Sequence, residues 1–140
     1  MELDDDLYEQ VARLSEEGND FMDATQYPKA VAVFQQALDL LPLPRIDWDA
    51  YTWLNAALGD AYFLSKSFAE AKAYFLDALN GPEGLNPFVF MRLGQCQLEL
   101  GELASSSDSL ARAYMLAGED VFKEEDLKYL ASLKQSGFKL

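Results

Sequence analysis

The sequence predicts an all-α solenoid built from three helix pairs and closed by a C-terminal helix. Three observations carry that prediction. Small and aromatic residues recur at fixed spacing, apolar residues fall at helical intervals, and proline, glycine and cap residues punctuate the chain where such helices would begin and end. Gly18, Phe21, Ala30, Phe34, Ala37 and Pro42 form the first instance of the recurring pattern. Gly59, Tyr62, Ala71, Phe75 and Ala78 form the second, with Pro82 one step early. Gly94, Gln97, Ser106, Leu110 and Ala113 form a weaker third; in all three the last alanine follows the glycine by nineteen residues. Fixed internal spacing of this kind marks stacked repeats, which build curved interaction surfaces rather than reaction centres.

The elements follow in order. Leu7, Val11, Leu14 and Phe21 share one face of a helix near 6–24, with acids on the other face. Tyr27-Pro28 opens the next, near 27–41, because proline suits a first turn whose N–H has no partner. Its stripe of Ala30, Val33, Phe34, Ala37, Leu38 and Leu41 is stopped by Pro42 and Pro44. A third helix is expected near 47–64, and Ser67-x-x-Glu70 has the form of a capping box opening a fourth near 67–80. Asn86-Pro87 pairs an N-cap with a first-turn proline for a fifth near 87–100. Gly101 stands where that helix should end in the left-handed conformation, ahead of a sixth near 103–117. Phe122, Leu127, Leu130 and Leu133 read as the closing helix. In each pair the glycine lets two helices approach closely, the alanine faces that contact, and Phe34, Phe75 and Leu110 are expected between layers.

Composition narrows the class. The 140 residues are half apolar and 13% aromatic, enough for one folded core. No apolar run reaches the roughly 20 residues of a bilayer span. Met1-Glu2-Leu3-Asp4-Asp5-Asp6 lacks the basic start and apolar stretch of a secretory leader, and the single cysteine, Cys96, has no internal disulfide partner. A cytoplasmic location is expected. The net charge of −13 opposes binding to nucleic acid or acidic lipid, and favours a basic protein or peptide partner. Residues 1–25 concentrate the excess: Glu2, Asp4, Asp5, Asp6, Glu9, Glu16, Glu17, Asp20 and Asp23 stand against Arg13 alone.

The recurring residues resemble the tetratricopeptide repeat (TPR) family. Aligned on the glycines, the repeats run approximately 11–44, 52–85 and 87–120, with a capping helix over approximately 121–136, all within a single domain spanning 1–140. The third repeat departs most, with Gln97 for the aromatic, Ser106 for the first alanine and Leu110 for the phenylalanine. The resemblance implies a right-handed α-solenoid of three TPR helix pairs plus a capping helix. The first connection carries about seven residues beyond the family's period of about 34, around Leu43-Pro44-Arg45-Ile46-Asp47. That insertion reads either as a partner contact or as an inert loop.

The resemblance also implies a binding surface, since the first helix of each TPR pair lines the concave face. The corresponding positions are Ala12, Ser15, Asn19, Met22 and Asp23; then Trp53, Ala56, Asp60, Phe63 and Leu64; then Phe88, Met91, Gln95, Leu98 and Glu99. Partner binding is therefore expected at Asn19, Met22, Asp23, Trp53, Asp60, Phe63, Phe88, Met91, Arg92, Gln95 and Glu99, an aromatic trough with acidic groups. TPR co-chaperones that hold a chaperone's C-terminal carboxylate use a clamp of Lys, Asn, Asn, Lys and Arg. Here the matching positions are Ser15, Asn19, Ala57, Phe88 and Arg92, so both lysines are missing and that subfamily does not fit.

Catalytic chemistry is sparse. There is no histidine, which removes the commonest general base and, with one cysteine, zinc sites of the Cys/His type. Cys96, on a predicted helix two residues past Gly94, reads as a buried structural thiol. No phosphate-loop, dinucleotide or calcium-loop motif occurs. No catalytic residue, metal site or cofactor is expected. The leading reading is a non-enzymatic module that binds one protein partner, monomeric rather than homodimeric. Its size and layout are similar to the dedicated chaperones of bacterial type III secretion; an immunity protein masking a basic toxin suits the acidity equally. The alternative is a scaffold or assembly subunit self-associating through repeat faces.

Overall fold

The structure, a computed structural model, describes residues 3–140. Met1 and Glu2, the latter one of the nine N-terminal acids, lie outside the described residues. Among those described there are seven α-helices and no strand: α1 Asp5–Asp23, α2 Tyr27–Asp39, α3 Asp49–Leu64, α4 Phe68–Leu79, α5 Pro87–Glu99, α6 Leu103–Ala117 and α7 Leu127–Gln135. Two 3₁₀ turns, Arg45–Asp47 and Gly118–Phe122, precede α3 and α7. The chain divides into two compact units, Met1–Gly84 and Leu85–Leu140. The first holds α1 to α4 and the second α5 to α7.

One turn is used three times within the pairs. Thr25, Lys66 and Gly101 sit at φ 55°, 63° and 80°, in the left-handed region. Behind each, the following amide reaches back five residues: Gln26 to the Phe21 carbonyl (2.8 Å), Ser67 to Tyr62 (2.9 Å) and Glu102 to Gln97 (2.8 Å). The left-handed residue itself donates three residues back, to Met22, Phe63 and Leu98. This is the Schellman arrangement, which satisfies carbonyls a helix end would otherwise leave bare. It also explains why the capping box expected at Ser67 and Glu70 does not form. Ser67 is the N-cap residue, but its ψ of 73° is not extended and its side chain makes no capping bond. Its amide, which Glu70 would have met, is already donated to Tyr62. Where an extended entry carries a side chain that can accept, caps form: Asp4 (ψ 160°) accepts from Leu7 N and Asn86 (ψ 155°) from Val89 N.

The repeat glycines work by close approach. A Cβ on Gly18 would lie 2.4 Å from Phe34 Cε1, one on Gly59 2.8 Å from Phe75 Cζ, and one on Gly94 2.7 Å from Leu110 Cδ2. Phe34, Phe75 and Leu110 therefore rest on the glycine of their own pair. Phe34 also joins a buried cluster with Val11, Ala30, Leu54 and Leu58, so it seals α1, α2 and α3 together. In the second pair Tyr62 stacks on Tyr74 (5.4 Å between centroids), and the Tyr74 hydroxyl donates to Gln35 Oε1 of α2 (3.3 Å). In the third pair hydroxyls replace the aromatic. Ser106 Oγ donates to the Gly94 carbonyl (2.8 Å) and Ser109 Oγ to Gln97 Oε1 (2.7 Å), all four residues being buried.

The insertion shortens the expected start of α3. Asp47 lies in the 3₁₀ turn, and the Trp48 indole Nε1 donates to the Pro42 carbonyl (2.7 Å), folding the loop back on itself. Ile46 and Asp47 face Asn80, Gly81 and Pro82 across an open hollow of about 660 Å³. The closing helix is also shorter than 121–136. Phe122, Tyr129 and Leu133 are buried, whereas Leu127, expected in its core, is 82% exposed.

Candidate functional site

In the first unit the expected groove residues converge. Asn19, Met22 and Asp23 come after Gly18 on α1 and, at intervals of three and four, share one helix face. Ala57 and Asp60 face them from α3. Together with the Phe34 ring these five residues line a cleft of about 250 Å³. Gly18 is the cause of its floor, because only a missing side chain lets the Phe34 ring come so close to α1. The result is an apolar base with two carboxylates and an amide at the rim. Trp53, one turn before Ala57 on α3, is 39% exposed, and Phe63 packs edge-on against Phe68 (5.6 Å). Ala57 and Phe34 were not among the expected binding residues; Ala57 was named only as a position matching the family's clamp.

In the second unit the same face of α5 is filled. Phe88 remains 37% exposed, with the Arg92 guanidinium 5.1 Å from its ring centre. Met91, Arg92 and Gln95 are buried. The Glu125 carboxylate pairs with Arg92 and accepts from Gln95 Nε2 (2.9 Å), while Arg92 also donates to Gln95 Oε1 (2.8 Å). Glu99 Oε1 accepts from the Tyr129 hydroxyl (2.9 Å) and pairs with Lys128 Nζ (2.5 Å). The Lys128 hydrogen bond holds the Glu99 carboxyl below its ordinary range, and the same bond raises Lys128. Burial, reinforced by Glu99, pushes the Tyr129 phenol up. An open trough at Met91, Arg92, Gln95 and Glu99 is thus corrected: Met91 is buried, and the chain's own C-terminal segment engages the other three. Glu125, Lys128 and Tyr129 fall outside the repeat pattern, and nothing in that pattern marks them.

Arg92 sits at a position matching the family's carboxylate clamp, and here an internal carboxylate already engages it. Cys96 is fully buried. Among the described residues no group of three His, Cys, Asp or Glu side chains is placed to hold a metal ion. Among them, too, no helix is long and apolar enough to cross a membrane.

No protein-family model matches the chain. No curated protein matches it either. Solved structures do. The Yersinia enterocolitica type III secretion chaperone SycD, in complex with a peptide of the translocator YopD, is 21% identical with a TM-score of 0.73, over 91% of this chain and 92% of that one. The C-terminal TPR-containing domain of an FK506-binding protein from Plasmodium falciparum is 20% identical with a TM-score of 0.75, over 95% and 89%. The second TPR domain of human RPAP3, in complex with the HSP70 peptide SGPTIEEVD, is 17% identical with a TM-score of 0.72, over 95% and 99%. At these identities the likeness establishes architecture rather than activity. The chain has the all-α fold of the tetratricopeptide-repeat domains, three helix pairs followed by a capping helix.

Proposed function

We propose that this chain is a non-enzymatic interaction module, one domain in its working form, that holds a basic, amphipathic protein segment against the groove face of α1 and α3. The observation that carries the reading is the cleft itself: an apolar floor of Phe34 and Met22 beneath Asn19, Asp23 and Asp60. An apolar side chain of the partner fits the floor, and flanking lysines or arginines meet the rim. Exposed Trp53 supplies the large aromatic surface that interface centres use. Two of the similar structures hold peptides, and the secretion chaperone among them favours a chaperone role over an immunity one.

The test uses a synthetic amphipathic peptide of leucine and lysine. Trp53→Ala should weaken its binding by about 2 kcal/mol or more, as for a buried anchor. Neutralising Asp23 and Asp60 should slow association and flatten its salt dependence, because exposed charges are screened beyond roughly 10 Å at 0.1 M salt. Glu99 leaves that steering set, since Lys128 and Tyr129 already engage it. Unchanged affinity in Trp53→Ala, with loss on changing α2 or α4 surfaces, would contradict the reading.

A further inference from the structure

We propose that residues 123–135 are a detachable strap that masks the groove face of α5. The inference rests on the reading that this face, like that of α1 and α3, is a binding surface. The strap's hydrogen-bonded ties to α5 are polar, Glu125 to the buried Arg92 and Gln95 and, nearer the surface, Lys128 and Tyr129 to Glu99. Lys128 is half exposed, so its pairing can be exchanged for another cation at little cost. Leu133 and the Tyr129 ring supply the apolar part, while Leu127 points to solvent. Phe122 upstream and Phe138 downstream both pack against Tyr114 of α6 (6.5 and 5.6 Å between rings), so the strap is anchored at both ends and opens as the segment between them.

Length decides how the strap moves. α7 has nine residues, below the roughly 12–15 at which an isolated helix is even marginal in water. It is therefore helical when docked and melts when released, an order–disorder step that leaves α5 and α6 paired through Gly94, Leu110 and the two serine hydrogen bonds. The docked strap is also chemically what the proposed partner is: a short amphipathic helix presenting a lysine to a groove carboxylate. A basic partner and Lys128 compete for Glu99.

The single cysteine reports the motion. Cys96 is fully buried on α5, next in sequence to Gln95, which Glu125 of the strap engages. Its labelling by a small aromatic disulfide, followed in the full chain under native conditions, measures opening. Glu125→Lys, which sets a cation against Arg92, should speed labelling about tenfold, beyond what its fall in denaturant midpoint accounts for. Adding Arg92→Glu to it should restore slow labelling. Lys128→Gln is mild enough to fold in any case, and should speed labelling about threefold. Labelling that in every variant merely tracks global unfolding would overturn the strap. The leucine–lysine peptide then reads the masking: it should bind the Glu125→Lys chain severalfold more tightly than the wild type. Equal binding to both would overturn masking. Binding to neither, with labelling still accelerated, would sink the partner class proposed above and leave the strap standing.

Discussion

The groove faces of α1 and α3 in the first unit and of α5 in the second are built from equivalent helices and end in opposite states. On α1 and α3 the residues after the repeat glycine surround a cleft floored by Phe34. On α5 the equivalent residues are covered, with Arg92, Gln95 and Glu99 bonded to Glu125, Lys128 and Tyr129. The helices themselves do not make the difference; the C-terminal segment that packs on α5 does. A repeat pattern fixes the direction a side chain takes, but a segment outside the pattern decides whether that side chain meets solvent or its own chain. The interiors differ in the same graded way. The first two pairs seat a phenylalanine on glycine, and the third seats a leucine and adds two hydroxyl hydrogen bonds.

Four changes would sharpen that contrast, beginning with the largest. Gly59→Leu drives a side chain into the fully buried Phe75 ring and should cost about 1–3 kcal/mol in a denaturant melt. The same change at Gly94 meets the buried Leu110 side chain (2.7 Å) and its backbone N (3.1 Å) and should cost at least as much; a smaller loss there would mean the third pair is packed more loosely than the second. Ser109→Ala removes the donor to buried Gln97 and should cost about 1–2 kcal/mol. If Ser109→Ala is neutral, the hydroxyls are not what compensates for the missing aromatic. The smallest effect is at the turns. Thr25 is β-branched at φ 55°, where Gly101 sits without strain. Thr25→Gly should stabilise by up to about 1 kcal/mol, the relief of left-handed strain less the entropy of glycine. A destabilised Thr25→Gly would say the threonine side chain contributes more than its conformation costs.

These outcomes rest on features of unequal legibility. Gly18, Gly59 and Gly94 were readable because close helix approach demands a missing Cβ whatever surrounds it. Pro28, Asn86 and Gly101 were readable because each satisfies a local backbone need. Ser67 and Glu70 misled because a capping box depends on an extended N-cap, and the Schellman turn fixes ψ at 73° instead. Phe34 was seen as buried, yet its seat on Gly18 depends on helix rotation that spacing does not supply. Met22, Asp23 and Asp60 could be placed on one face through the family resemblance, which implies that the first helix of each pair lines it. The covering of Arg92, Gln95 and Glu99 could not, because it depends on Glu125, Lys128 and Tyr129, which a repeat spacing does not reach. In the closing helix Tyr129 and Leu133, four apart, take the buried face, and the leucine at 127 is a decoy.

The central claim is that a partner enters on the open face of α1 and α3 while α5 stays covered. Backbone amide shifts on titration with the leucine–lysine peptide test it most directly. Early, saturating shifts are expected at Asn19, Met22, Asp23, Trp53, Ala57 and Asp60, with Gln95 and Glu99 responding only once the strap is loosened by Glu125→Lys. Shifts centred instead on the outer surfaces of α2 and α4, with the α1 and α3 amides unmoved, would contradict it.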